Sequence, residues 1–203
     1  MEISLFVQGL FIGFVVAVPV GPIGLLCVNR LLSGGAAYGL SSGLGIAAGD
    51  ALAAAVAALG LILISGFLVN EQLWLRLLSG LFLFYLGFRT FAMRPAQPGI
   101  STEEKSLLGA FTTMFILTFS NPVTVLSFIA IYAGLGVEPL QGYHLSAAVL
   151  SSGVFVGSSL WWFVLSAGLV LLRERFTYSG LRWIHRVSGV IIAGFGLAVL
   201  LRR

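Results

Sequence analysis

Long apolar runs, separated by short polar pieces, set the strongest limit on how this chain can fold. Such a run, at about 20 residues, spans the hydrocarbon core of a bilayer as one helix. Charged residues make up only 9% of the 203 residues, whereas a soluble domain has about 25%. The pattern excludes a water-soluble globule and a disordered chain. We expect an all-α integral membrane protein with six transmembrane helices, at residues 3–29, 38–69, 73–93, 107–134, 145–172 and 183–201.

The charged residues and the cysteine content exclude several classes of function. A net charge of +4 can indicate nucleic-acid binding, but these basic residues lie at the ends of apolar runs, where they orient helices in a membrane. Cys27 is the only cysteine, so an intramolecular disulfide, a Cys-x-x-Cys pair and a thiolate metal cluster are excluded. We expect no nucleic-acid partner, no cofactor and no metal site, and we expect that the protein is not an enzyme.

Basic residues are distributed unequally between the two sides of the predicted membrane domain. Arg76, Arg202 and Arg203 fall on the side that holds both termini. The positive-inside rule therefore makes the other side cytoplasmic and both termini external. That cytoplasmic side collects Arg30, Arg89, Arg94, Lys105, Arg173, Arg175, Arg182 and Arg186.

The two halves of the chain share short patterns in the same order. Trp-x4-Ser-Gly-x6-Gly occurs at 74–87 and again at 183–196, and Gly-x-Phe occurs at 9–11 and 109–111. Three spans per half is an odd number, so the second half would enter the membrane inverted, as in many secondary transporters. We predict one transmembrane domain over 1–203 built from two inverted three-helix repeats, at about 1–93 and 107–203, with a cytoplasmic connection at 94–106.

Prolines interrupt the first and fourth predicted helices at matching places. A proline has no N–H donor, so Pro122 is predicted to free the carbonyl of Thr118. Broken backbone in a membrane persists where protein or a water-filled cavity surrounds it. Packing kinks are the alternative, but matched breaks in two halves indicate a binding site. The predicted substrate-binding residues at these breaks are Pro19, Gly21, Pro22, Thr118, Asn121 and Pro122.

Asp50 is the only acidic residue deep inside a predicted span. A charged side chain at the bilayer centre costs at least about 2.5–3.5 kcal/mol. No basic residue lies at the same predicted depth, so the expected partner is a proton, a cation or a substrate ammonium group. Gly43, Gly45 and Gly49 precede Asp50 and are predicted to allow close helix packing, and such glycine-rich faces also permit a homodimer.

These features together predict a site for a zwitterion. The positive ends of the half-helices that begin at Pro22 and Pro122 would attract a carboxylate, and Asp50 would bind an ammonium group. Asn121 can donate or accept hydrogen bonds to either group. Protonation of Asp50 could alternate with substrate binding and couple transport to a proton gradient. The alternatives are a metal-cation exporter and a membrane-embedded enzyme, although no catalytic constellation is visible.

The order of these motifs resembles the LysE/RhtB family of bacterial amino-acid exporters. The resemblance rests on Pro-x-Gly-Pro at 19–22, Gly-x-Gly-xxx-Gly-Asp at 43–50 and Asn-Pro at 121–122, and it covers the whole chain. It implies a multi-pass protein of the bacterial inner membrane that exports an amino acid or a similar small metabolite, driven by the proton motive force. Val123 stands where many members of the family have a lysine.

Overall fold

In a computed structural model, residues 2–18, 21–68, 72–92, 106–135, 144–171 and 178–201 are described, and these residues are almost entirely helical. No strand occurs in these ranges, which confirms the all-α class. In chain order the helices are α1 (Glu2–Ala17), α2 (Pro22–Gly34), α3 (Ala36–Leu68), α4 (Gln72–Ala92), α5 (Leu107–Phe119), α6 (Pro122–Leu135), α7 (His144–Leu171) and α8 (Tyr178–Leu201).

The first predicted span is two helices rather than one kinked helix. Helix α1 ends at Ala17 and α2 begins at Pro22. Proline suits the first position of a helix because its missing N–H would have no partner there. Gly21 precedes α2 in an extended conformation, with φ −69° and ψ −169°, and no side chain caps this helix end. We call residues 18–21 the first break; Pro19, predicted to contribute to it, lies outside the described residues.

The fourth predicted span is also two helices, α5 and α6, which meet at an angle of 59°. The side-chain oxygen of Asn121 accepts a hydrogen bond of 3.1 Å from the N–H of Val123, so Asn121 caps α6. The prediction that the carbonyl of Thr118 has no hydrogen-bond donor is wrong. The chain turns at residues 120–121, here called the second break, and the N–H of Asn121 donates to that carbonyl at 3.2 Å.

Two described helices are each long and apolar enough to cross a bilayer, over Ala36–Leu61 and Leu145–Leu169. The bent pair α5 and α6 is a third candidate if it forms one broken span. Shorter apolar segments lie in α1, α2, α4 and α8. The structure thus supports a membrane protein, while the six-span inverted arrangement stays a prediction.

Large apolar side chains cover much of the outer surface of the helices. Phe11 is 66% exposed and Leu78 is 64% exposed. A soluble protein rarely exposes so much contiguous apolar surface, whereas lipid tails accept it. Other examples on α1, α4 and α8 are Ile3, Leu81, Phe88 and Val190.

Each of the two long helices, α3 and α7, packs against the first helix of the broken pair that belongs to the other half of the chain. Helix α7 packs along α1, and α3 packs along α5. Glycines allow these contacts, because a Cβ atom at Gly153 would collide with the carbonyl of Phe6, and one at Gly45 with the carbonyl of Phe111. Helices α4 and α8 form a third pair, and α3 also contacts α7. The two breaks therefore lie within a bundle held together by backbone-level packing.

Arg30, assigned by its sequence position to the cytoplasmic end of the first span, is buried inside the bundle. Its side chain is 2% exposed, and Nη1 donates to the carbonyl of Ala110 at 3.1 Å. The guanidinium also lies over the ring of Tyr38, 5.6 Å from its centroid. Arg30 thus joins α2 to α5 and to the start of α3.

Candidate functional site

A cavity of about 400 Å³ lies between the two breaks. This volume is at the lower end of the range for small-molecule sites. The first-break side contributes Val15, Val16, Ala17, Gly21, Ile23 and Gly24. The second-break side contributes Thr118, Asn121, Val123, Thr124, Ser127 and Ile131. The other helices contribute Ile46, Asp50, Leu83, Leu86, Arg89, Trp162 and Ile192.

Asp50 lies on the cavity wall and is 4% exposed. Its Oδ2 atom accepts a hydrogen bond of 2.7 Å from the hydroxyl of Ser158. Ser158 is fully buried in α7, so this bond links the long helices of the two halves. Hydrogen bonds to a carboxylate are short and strong. The sequence did not indicate this hydroxyl as a partner, because Ser158 is uncharged and distant from Asp50 along the chain.

A signal for Ser158 does exist in the sequence. Gly45-xxx-Gly49-Asp50 in α3 has a counterpart in Gly153-xxx-Gly157-Ser158 in α7. Both pairs of glycines lie against backbone atoms of the other half. Both pairs of glycines allow a close helix contact. The residues that follow the second glycine of each pair, Asp50 and Ser158, therefore come to lie close together.

Arg89 also lines the cavity, with an exposed side chain. It shares one face of α4 with Leu83 and Leu86, at the spacing of three that places side chains on one side of a helix. Arg89 forms no ion pair with any other residue that the structure describes. The sequence placed no basic residue at the depth of Asp50, and Arg89 was not predicted to line the site, because the helix face as well as the depth in the span decides which side chains reach the cavity.

The structure brings several residues of the predicted site together and leaves others apart. Pro122 begins α6 but is not part of the cavity wall. Pro22 begins α2, and its side chain, like the whole of Pro19, lies outside the described part. Four predicted residues share the cavity wall: Gly21, Asp50, Thr118 and Asn121.

The three glycines that precede Asp50 bring α3 close to its neighbours. A Cβ atom at Gly43 would lie 2.6 Å from the Cβ of Trp162, and one at Gly49 would lie 2.7 Å from the Cβ of Thr118. Both distances are too short for real side chains. Gly45 lies against the carbonyl of Phe111. The small residues thus allow α3 to hold Asp50 beside α5 and α7.

The N-terminal ends of the two half-helices differ in their hydrogen bonding. At α6, Asn121 accepts from the N–H of Val123 through its side chain and from the N–H of Thr124 through its carbonyl. At α2, the residue in the capping position is Gly21, which has no side chain, and no side chain caps the helix. The attraction for an anion that was predicted for both ends is thus already partly satisfied at α6.

Two buried polar atoms on residues of the cavity wall have no hydrogen-bond partner in the described structure. They are the hydroxyl of Thr118 and the indole N–H of Trp162. Buried polar groups are normally paired, so this part of the wall can accept water or a polar solute. No group of three or more His, Cys, Asp or Glu side chains that could hold a metal ion occurs among the described residues.

Comparisons with known proteins were made for the whole sequence. The family model described as "LysE type translocator" matches residues 14–203. "Putative amino acid efflux protein YcgF" of Bacillus subtilis is 26% identical and covers 95% of this chain and 93% of its own length. "Uncharacterized membrane protein YahN" of Escherichia coli is 28% identical and covers 85% of this chain and 78% of its own length. "Chemotactic transduction protein ChpE" of Pseudomonas aeruginosa is 29% identical and covers 97% of this chain and 98% of its own length. No solved structure matches the chain.

Proposed function

Because this chain belongs to the LysE type translocator family, it is a multi-pass membrane transporter rather than an enzyme, and we propose that it exports an amino acid or a similar small zwitterionic metabolite. The name of the Bacillus relative, "Putative amino acid efflux protein YcgF", supports this substrate class. One observation carries the proposal: the buried carboxyl group of Asp50 lies on the wall of a cavity that both breaks border.

In the proposed mechanism, Asp50 binds the ammonium group of the substrate. The hydroxyl of Ser158 holds one carboxylate oxygen at 2.7 Å, so it fixes the orientation of the acid. The uncapped end of α2 at Gly21 also borders the cavity and adds partial positive charge that attracts the substrate carboxylate. Thr118 and Trp162 offer further hydrogen-bonding groups at the wall. A solute with both an ammonium and a carboxylate group suits this arrangement.

Coupling to protons follows from competition for the same acid. A proton and an ammonium group cannot both occupy Asp50, so protonation from the outer side would release the substrate and deprotonation on the inner side would allow binding. The proposal places the protein in the bacterial inner membrane, with both termini in the periplasm and six spans in two inverted repeats. Rocking of the repeats around a central site then gives alternating access. A homodimer is compatible with this scheme.

A metal-cation exporter fits the site less well. Hard cations take several oxygen ligands, and transition metals take imidazole, thiolate or carboxylate groups. The residues of the cavity wall include a single carboxylate and no histidine or cysteine. An organic solute therefore remains the proposal.

The test is export by cells that overproduce the protein and are fed dipeptides, with extracellular amino acids measured with and without a protonophore. Asp50→Asn should lower export to about a tenth to a hundredth of wild type, because it removes a hydrogen bond between charged groups. Ser158→Ala should cause a smaller loss. Ser152→Ala is the matched control on α7, since Ser152 is exposed and bonds only the carbonyl of Val149.

Each part of the proposal has its own contrary result. Undiminished export by Asp50→Asn at equal protein level would remove Asp50 from the mechanism. Export that the protonophore leaves unchanged would remove proton coupling. If wild-type cells release no additional amino acid, the substrate class is wrong.

A further inference from the structure

We propose that Arg89 binds the carboxylate of the transported amino acid, and that the substrate has an uncharged, apolar side chain. The inference rests on the proposed function. It adds a binding residue that the sequence alone did not indicate, and it narrows the substrate from amino acids in general to one class.

The first argument is the balance of charge at the cavity. Its wall carries one carboxylate, Asp50, and one guanidinium, Arg89. The two form no ion pair with each other; Asp50 bonds Ser158, and Arg89 pairs with no described residue. Opposite charges held apart at one cavity match a solute that carries both charges. An α-amino acid is the smallest common solute of that kind.

The second argument concerns where a carboxylate can bind. At the start of α6, the N–H of Val123 donates to the side-chain oxygen of Asn121 at 3.1 Å. The N–H of Thr124 donates to the carbonyl of Asn121 at 3.0 Å. That helix end therefore has fewer free N–H groups to donate to a carboxylate than the sequence predicted. A guanidinium offers two parallel N–H donors in the geometry that a carboxylate accepts. Arg89 is thus the strongest carboxylate-binding group on the described wall.

The third argument concerns the substrate side chain. Once the ammonium and carboxylate groups are paired, no charged side chain remains on the described wall. The side chain of lysine or glutamate would then bring an unpaired charge into a partly apolar site, which is unfavourable. Apart from a few uncharged polar residues, the remaining wall is aliphatic, with Val16, Ile46, Leu83, Leu86 and Ile192 among its residues. This favours valine, leucine or methionine.

The experiment measures binding to the purified full chain in lipid nanodiscs. The probes are L-valine, L-leucine and L-methionine, with L-leucinamide as the analogue that lacks a carboxylate and L-lysine and L-glutamate as charged competitors. Wild type should bind L-leucine about ten- to hundredfold more tightly than L-leucinamide, the range expected for a hydrogen bond to a charged group. L-Lysine and L-glutamate should bind more weakly than the apolar amino acids.

Variants at Arg89 separate a binding role from a structural one. Arg89→Gln should weaken L-leucine binding and leave L-leucinamide binding unchanged, so that the preference for the carboxylate falls to the small part that the uncapped end of α2 supplies. Arg89→Lys should restore part of the preference, because it keeps the charge but not the paired donors. Arg186→Gln is the matched control: Arg186 is an exposed arginine on α8 that lies over the ring of Phe91 and not at the cavity. It should keep the wild-type preference.

Three results would overturn the inference. In the first, wild type binds L-leucinamide as tightly as L-leucine. In the second, Arg89→Gln keeps the preference. In the third, L-lysine or L-glutamate binds best. If Arg89→Gln fails to fold, Arg89→Lys still tests the inference, because a preference equal to that of wild type would show that the paired donors of Arg89 do not bind the carboxylate. If dipeptide-fed cells still export an amino acid, the proposed function survives such a result; if they export none, both proposals fail.

Discussion

The two halves of the molecule share a frame but differ in the polar residues placed on it. Each half has a broken helix and a long helix, and each long helix packs through glycines against the other half. At matching positions after those glycines, the first half has Asp50 and the second has Ser158. The helix arrangement is thus repeated, whereas both charged residues of the cavity wall, Asp50 and Arg89, belong to the first half.

The two breaks show the same contrast. The first break presents an uncapped α2 behind Gly21, and the second is closed on itself by Asn121. A self-capped turn is locally stable, while an uncapped helix end keeps its attraction for an anion. The comparison teaches that similar backbone breaks can differ in hydrogen bonding: Asn121 caps the helix after the second break, and no side chain caps the helix after the first.

The largest expected effect tests the shared frame. Gly49→Ala and Gly157→Ala should each destabilise the protein by about 1–3 kcal/mol through overpacking, because a Cβ atom would meet the Thr118 side chain or the Leu10 carbonyl. This corresponds to about 2–4 °C per kcal/mol in apparent melting temperature. Gly60→Ala on α3 is the control, since no atom lies within 4 Å of its Cβ position. A loss in only one of the two variants would contradict equal packing of the halves.

A smaller effect is expected at the second break alone. Asn121→Ala removes the cap of α6 and should cost about 1 kcal/mol, measured as a lower apparent melting temperature in detergent. Asn121→Ser keeps a neutral acceptor for the N–H of Val123 and should remain near wild-type stability. Equal losses in the two variants would show that Asn121 acts through something other than its cap.

The smallest effect on stability is expected at the first break. Gly21→Asn would give α2 the kind of cap that α6 has, and the described residues leave room for it, because none of them apart from the chain neighbours of Gly21 has an atom within 4 Å of the Cβ position. Stability should rise by a few tenths of a kcal/mol, roughly the Gly-to-Asn difference at a cap. Export should fall, because the new amide group occupies the helix end that the substrate needs. Unchanged export with a raised melting temperature would exclude the α2 end from substrate binding.

The sequence predicted the helical segments well because each depends on local rules. The lengths of the apolar runs predicted both ends of α3 and of α7 to within two residues. The prolines at 22 and 122 predicted the positions of both breaks. Asp50 was found because a carboxylate is rare at such depth. The partners of these residues were not found. The cap by Asn121 required the turn geometry, and the hydroxyl of Ser158 lies 108 positions away from Asp50.

By itself, the sequence determined that the chain is a helical membrane protein with two interrupted helices and one deep carboxylate. These properties follow from hydropathy, from the missing N–H of proline and from the cost of charge in lipid, none of which depends on distant residues. Tertiary packing alone decided that Arg89 reaches the cavity with Asp50, that Ser158 holds the acid, and that the two helix ends differ. The reason is that a side chain's surroundings in a bundle depend on which helix faces meet, and only the folded arrangement fixes those faces.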